Sequence, residues 1–416
     1  MRKSKLKIKN IIILVLIIAG VLLIVLNIPN KNQEKEINKM LDLTNKTISE
    51  IEEYSKENKL ELELKYEYHE ELEKDKVISQ SIEKNKEIKN NEKLIVTISK
   101  GKLDETVYKE HGVNELGNVP IMMYHKIIDI PSSETKYIGG NVDKDGYNRT
   151  AEAFKKDLEF YYNEGYRMVR LIDYINGEIN TELGKSPLIL TFDDGDETNF
   201  KVEGRNEDGT LKISPNCAVG ILEEFKNKYP DYNVTATFFV MDELFGQTEY
   251  NEEILKWLVE HGYDIGNHTK NHVNFSNSSE TKSQEEVGYM YQRLEQIIPG
   301  KYVNIVALPY GSPGSKEHSN FKYVLNGSYN GKEYNTLSAL RVGWMSEVSP
   351  FSKNFDKTFL KRIRAYDNDG KEFDISSSFE SLKNTRYISD GDKDSIVIPN
   401  DKKNNLIDTE KKVVTY

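Results

Sequence analysis

Apolar positions follow three different rhythms along this chain. From Ile11 to Leu26 they are unbroken, with a basic flank of Arg2, Lys3, Lys5, Lys7 and Lys9 before them. Such a run sits at the short end of what crosses a bilayer, about 20 residues, and the basic flank predicts a cytoplasmic N-terminus. No small-residue cleavage site follows it, only Asn27-Ile28-Pro29-Asn30. The expectation is therefore a basic tail at 1–10 and an uncleaved signal anchor at 11–28. In the second regime Leu60, Leu62, Leu64, Tyr66 and Tyr68 alternate with Glu61, Glu63, Lys65 and Glu67, the period of a strand with one buried face. A helix is expected over Ser49–Lys56, with Thr47 and Glu50 spaced as a capping box. Short strands are expected at Val77–Ser79 and Leu94–Ser99, so that 30–101 reads as a small α+β unit.

The third rhythm begins at Val119, after a linker at 102–118. Short apolar runs at Met168–Leu171, Leu188–Phe192, Val234–Met241, Asp264–Gly266 and Val303–Leu308 read as strands. Amphipathic stretches at Phe154–Asn163, Val219–Asn227, Ile254–His261 and Glu280–Ile298 read as helices. Strand–helix alternation implies parallel pairing with right-handed crossovers, and this many units imply a (β/α) barrel. The domain is expected to run over 119–366, with Asn330-Gly331 as a late hairpin turn. Beyond it, 367–416 is polar and weakly patterned, read as loops and a loosely held tail.

Composition adds two constraints. The single cysteine, Cys217, excludes an intrachain disulfide. Without the five basic residues of the N-terminal flank, 52 Lys and Arg face 68 Asp and Glu, a net of −16. So acidic a body is a poor general binder of nucleic acid or anionic membrane; it suits solubility, or a neutral or cationic glycan.

Three motifs at strand ends carry candidate chemistry. Thr191-Phe192-Asp193-Asp194-Gly195 closes an apolar strand. Adjacent carboxylates in a strand point to opposite sides, but a turning backbone lets both reach one site, one to hold a metal and one to act as a base; the alternative is a surface turn. His268-Thr269-Lys270-Asn271-His272 places two imidazoles at the i, i+4 spacing of metal ligands, against the alternative of two solvent histidines. Leu308-Pro309-Tyr310-Gly311 is a loop able to aim a backbone N–H outward.

Taken in this order on successive strand ends, these residues resemble the polysaccharide deacetylases of the NodB-homology type, carbohydrate esterase family 4, over roughly 119–365. The resemblance implies a distorted barrel, seven-stranded in this reading. It makes Asp193 the general base and Asp194, His268 and His272 the ligands of a divalent metal, usually zinc. It gives the oxyanion a donor in the Tyr310 N–H, and places Tyr310 and Trp344 against the substrate, Trp344 lining the acetyl pocket. A metal in such a site acts as a Lewis acid on the acetyl carbonyl. The order Leu41-Asp42-Leu43, Val77-Ile78-Ser79-Gln80-Ser81, Ser99-Lys100-Gly101 resembles a PASTA repeat, which implies contact with peptidoglycan or a spacer role.

The chain departs from the deacetylase pattern twice. Ala307 stands where the family has arginine, and no late histidine supplies the acid. Tyr124-His125, ending the first strand, resembles a permuted subgroup that includes surface poly-N-acetylglucosamine deacetylases, which makes His125 the general acid. Arg341, three residues before Trp344, is the expected replacement arginine orienting Asp193. The expected function is deacetylation of N-acetylglucosamine residues of cell-wall peptidoglycan by a single-pass protein, membrane-bound through 11–28, at a Gram-positive-type surface. Another acetylated polymer such as poly-N-acetylglucosamine is the second reading, and a non-catalytic wall-binding protein the third.

Overall fold

The computed structural model describes residues 38–69, 71–102 and 104–416. They divide into two compact units, one ending at Asp104 and one from Glu105 to Tyr416.

In the first unit, helix α1 (Ile48–Glu57) starts at Thr47 with both bonds of the capping box formed. Strand β3 (Lys93–Ser99) lies between β1 (Glu61–Glu67), which it meets parallel, and β2 (Val77–Gln80), which it meets antiparallel. The central strand therefore carries the buried face: Leu94, Val96 and Ile98 pack with Leu43, Ile51 and Val77. On β1 the alternation is only half used, since Leu62 and Leu64 are half-buried and Tyr66 is exposed.

The second unit is built on parallel strands. These are β4 (Ile121–Tyr124), β5 (Tyr166–Met168), β6 (Ser186–Phe192), β7 (Thr237–Val240), β8 (Asp264–Asn267), β9 (Ile305–Ala307), β10 (Ser338–Leu340), β11 (Phe359–Leu360) and β12 (Ile363–Arg364). Their order is β11-β10-β9-β8-β7-β6-β4-β12, with β5 on the first half of β6. Side chains alternate between two apolar clusters, as a pleated strand dictates. Leu188, Leu190 and Phe192, with Phe238 and Ile265, pack outward under α2 (Ala151–Asn163), α3 (Ala218–Lys228), α4 (Asn251–Glu260) and α5 (Glu280–Ile297). Ile121, Ile189, Phe239, Ile305, Leu340 and Leu360 fill the inside.

This corrects the expected architecture. The sheet has nine strands rather than seven, and its hydrogen-bonded path is open, not closed. Both ends of the path come from one segment, Phe359–Arg364: β11 pairs with β10 and β12 with β4. The chain itself, at Lys361-Arg362, draws the barrel together where no ladder does. The expected transmembrane helix is not carried forward either. Residues 11–28 lie outside the described residues, and among the described residues no helix is long and apolar enough to cross a membrane.

Smaller differences have local causes. The apolar run Met168–Leu171 is split, because the strand ends at Met168 and Leu171 opens the short helix Leu171–Ile175. Asn330-Gly331 does turn a hairpin, but its strands are Asn326–Tyr329 and Lys332–Asn335, and Ser338–Leu340 is a separate barrel strand.

The C-terminal stretch is not a loose tail. It holds helix α6 (Ile375–Leu382) and the parallel pair β13 (Ser395–Ile398) and β14 (Lys412–Thr415). Glu115, buried, ties this stretch to the barrel, accepting from Tyr387 Oη at 2.7 Å and Val397 N at 2.7 Å. Glu115→Ala should orphan both buried donors and lower stability by about 2–5 kcal/mol. Thermal unfolding of the variant checks this, and an unchanged midpoint would refute the anchoring role.

Candidate active site

The chemistry-bearing side chains gather where β4, β6, β8, β9 and β11 end. Pleat parity decides which of them face inward. Ile189 belongs to the inner cluster, so Thr191 and Asp193, two and four residues on, face the same way. Asp194 would then point out, but its backbone turns into the left-handed region at φ 76° and brings the second carboxylate back to the site. Gly195 completes the turn, since a Cβ there would meet the Leu244 carbonyl oxygen at 2.5 Å.

Asp194, His268 and His272 converge. Asp194 Oδ1 lies 3.1 Å from His268 Nε2 and 3.5 Å from His272 Nε2, and the three potential ligand atoms lie within 4.8 Å of one another. The two histidines do not share a helix face. They lie on a bend with Thr269 at φ 67° and His272 at φ 53°. Two buried groups shape that bend. Asn267 Oδ1 accepts from Thr269 N at 2.8 Å, and the Glu286 carboxylate, from α5, accepts from Asn271 N and Nδ2 at 2.7 and 2.8 Å. Left-handed backbone at non-glycine residues is costly and concentrates at functional sites; here it recurs at Asp194, Thr269, His272 and Tyr310.

The donor set fits a divalent cation. His268 Nδ1 faces the Ala307 carbonyl at 2.8 Å. A bond donated there leaves Nε2 with its lone pair toward Asp194, the arrangement of a metal-ligating imidazole. One carboxylate and two imidazoles suit zinc, with positions left open. Asp194 and His272 keep 29% and 28% of their side-chain surface exposed, so the cluster opens to solvent.

Asp193 is held differently. It is 1% exposed and accepts a bidentate pair from Arg362, Nη1 and Nη2 each at 2.7 Å. Arg362 is itself fully buried, and it also donates to Thr191 Oγ1 and to the Arg341 carbonyl. Burial opposes ionisation of Asp193, but the Arg362 guanidinium, then His268, outweigh it and hold its pKa well below the ordinary carboxylate value.

The expected arginine is thus misassigned. Arg341 sends its guanidinium over the Phe359 ring at 4.9 Å. The group on Asp193 is Arg362, which shares pleat parity with the inward Leu360; that two-residue strand has no period of its own in the sequence.

His125 follows β4, where Ile121 faces inward, so parity again directs it to the site. Burial lowers its pKa, against the pull of Asp193 and Asp194. Its Nδ1 is buried with no hydrogen-bond partner among the described residues. The Tyr147 ring stands edge-on to it at 5.0 Å. Tyr310 is 68% exposed, with φ 58° and its ring 4.5 Å from that of His272. Trp344 contacts Arg364, Tyr366 and Phe373.

Residues 180–323 match the family model of the polysaccharide deacetylase domain, and residues 38–100 match that of the PASTA domain. Among solved structures, the chain is similar to the Streptococcus pyogenes deacetylase PplD in complex with acetate. Identity is 18%, over 64% of this chain and 97% of that one, with a TM-score of 0.45. It is also similar to a de-N-acetylase from Aggregatibacter actinomycetemcomitans, at 14% identity over 59% and 94% of the two chains and TM-score 0.37. A third is a family 4 carbohydrate esterase from Bacillus anthracis, at 19% identity over 55% and 85% and TM-score 0.25. Comparison with curated proteins gives no match.

Proposed function

Because the chain is an enzyme with a polysaccharide deacetylase domain at 180–323 and a PASTA domain at 38–100, we propose that it removes N-acetyl groups from N-acetylglucosamine residues of cell-wall peptidoglycan, outside the cytoplasm, using a divalent cation. The observation that carries this is the convergence of Asp194, His268 and His272 beside a separate, ionised carboxylate, Asp193. A cation held there, zinc by its donor set, supplies Lewis-acid polarisation of the acetyl carbonyl.

The chain's own groups do the rest. Asp193, kept charged by Arg362, takes the proton of the attacking water. Both its oxygens accept from Arg362, yet a carboxylate has about four acceptor sites, so a lone pair remains for that water. The left-handed turn at Tyr310 presents its backbone N–H to the developing oxyanion. His125 protonates the leaving amine, which departs poorly as an anion. His125→Ala should lower kcat by about 10²–10⁴-fold, the usual worth of a positioned acid. An unchanged kcat would remove it from that role.

The PASTA domain favours peptidoglycan as the polymer. The placement of His125 on the first barrel strand favours the second reading, poly-N-acetylglucosamine. Acetate release from both purified polymers, with and without chelator, distinguishes them. Faster release from peptidoglycan, lost with chelator and restored by zinc, is expected. The reverse ranking would select the second polymer. Release from neither by metal-loaded protein would leave wall binding without catalysis.

A further inference from the structure

The second unit carries a cleft whose charge runs against the rest of the chain. About 740 Å³ in volume, it lies between the segment 350–358, the turn at 175–177 and alternate residues of 407–411. Four lysines line it, Lys316, Lys353, Lys357 and Lys411, against one carboxylate, Asp356. The whole chain has 68 acidic and 57 basic residues, so an even sampling of its charges would put acid in excess there.

The local structure keeps this positive charge uncompensated. Among the described residues only Lys316 of the four forms an ion pair, with Asp356. Lys353 and Lys411 turn to backbone carbonyls instead. Lys353 Nζ donates to Asn404 O at 2.9 Å, and Lys411 Nζ donates to Gly177 O at 2.6 Å and to Lys393 O. A carbonyl orients a cation without cancelling its charge, and an ammonium has three donors, so each lysine keeps at least one. Along the third wall Ile407, Thr409 and Lys411 line the cleft, while the exposed Asp408 and Glu410 between them do not. Extended chain alternates in this way, and here it turns the acidic residues off the wall.

The cleft is separate from the reaction proposed above. Lys357 and Thr358 lead into the N-terminal end of β11, whereas the catalytic groups lie where strands end, and none of those groups lines the cleft. Its volume falls within the range of ligand sites, about 300–1,000 Å³, and exceeds what a single small anion fills. No arginine lines it. Lysine meets an anion as a mobile point charge rather than through a planar fork, which fits a flexible chain of repeating single charges. The buried Phe351 and half-buried Phe355 give the carbon backbone of such a chain an apolar wall. A lipid surface fits less well, because none of the exposed large apolar side chains of the described residues lines the cleft to enter a bilayer.

We propose that this cleft binds a flexible phosphodiester polymer, an anionic chain distinct from the glycan that loses its acetyl groups. The full chain is titrated into labelled poly(glycerol phosphate), with fluorescence anisotropy as the readout. Saturable binding that weakens with salt is expected. K353A/K357A should weaken it about tenfold, equal to about 1.4 kcal/mol, the worth of about two exposed ion contacts. K301A/K332A removes the same charge from exposed positions outside the cleft and should leave binding unchanged. Equal weakening by both pairs, or binding that does not saturate, overturns the site. Inorganic phosphate that displaces the polymer at equal phosphate concentration overturns it in favour of a small anion. Tighter binding to phosphatidylglycerol vesicles overturns it in favour of a lipid surface. None of these readings involves acetate release, so failure of the deacetylase reading would leave them standing.

Discussion

Arg362→Ala is expected to reduce kcat by about 10²–10⁴-fold, the range of a lost general base, although Arg362 touches neither the metal cluster nor the substrate in the proposed reaction. It neutralises Asp193, a carboxylate 1% exposed, through two bonds of 2.7 Å. Removing one partner of a buried pair leaves an uncompensated charge at a cost of about 3–5 kcal/mol, which Asp193 escapes by taking up a proton. A protonated carboxyl cannot accept the proton of water. The sign for pH follows. In the native protein the Asp193 pKa lies well below its ordinary value, so the acid limb of kcat/KM falls at low pH. Without Arg362, burial is opposed only by His268 and His125, so the pKa rises and that limb moves upward. Stability follows the same linkage. The depressed pKa contributes stability that is present above the unfolded carboxylate value and lost as pH falls, and the variant lacks it. Arg362→Lys separates charge from geometry: it keeps the cation but not the fork. Lysine should recover the position of the limb better than the full kcat. An acid limb unmoved in Arg362→Ala would show that Asp193 is not the group that titrates.

How much of this was legible beforehand depends on how far apart the interacting residues lie. Asp193-Asp194 and His268 to His272 each form a short local motif, so spacing alone pointed to them. Arg362 is 169 residues from Asp193, and only the closing of the barrel brings it there. The missing arginine at Ala307 said that a replacement was needed but not where. Proximity in sequence to Trp344 suggested Arg341, whereas the folded strand's pleat parity from Leu360 indicates Arg362. Tyr147 was hidden for a similar reason: its contact with His125, 22 residues away in the chain, is tertiary. Glu286 was invisible because it is a glutamate on an amphipathic helix, where solvent exposure is the ordinary expectation, yet it is fully buried holding the turn between the histidines. The nine strands were undercounted because several are only two to four residues long. Segments that short carry no period of their own and are defined by their neighbours.

Loss of the metal ligands should have an effect as large, by a route measurable without turnover. His268 is 1% exposed and oriented by Ala307, while His272 and Asp194 remain partly open. His268 should therefore be the most tightly positioned ligand, and His268→Ala should abolish stoichiometric zinc in the purified protein, along with at least about 10³-fold of kcat. His272→Ala, losing a ligand on the solvent side, should retain weak binding. Asp194→Asn keeps the shape of the turn at φ 76°, which asparagine tolerates, and removes the charge that makes the donor set favourable to a dication. Bound-metal analysis reads these differences directly. Thermal unfolding reads them independently, because a ligand that binds only the folded state stabilises it by about 2.7 kcal/mol at a hundredfold excess over Kd. Zinc should raise the midpoint of the parent protein and leave that of His268→Ala unmoved. Full zinc content in His268→Ala would place the metal elsewhere and remove the premise on which the roles of Asp193, Tyr310 and His125 rest.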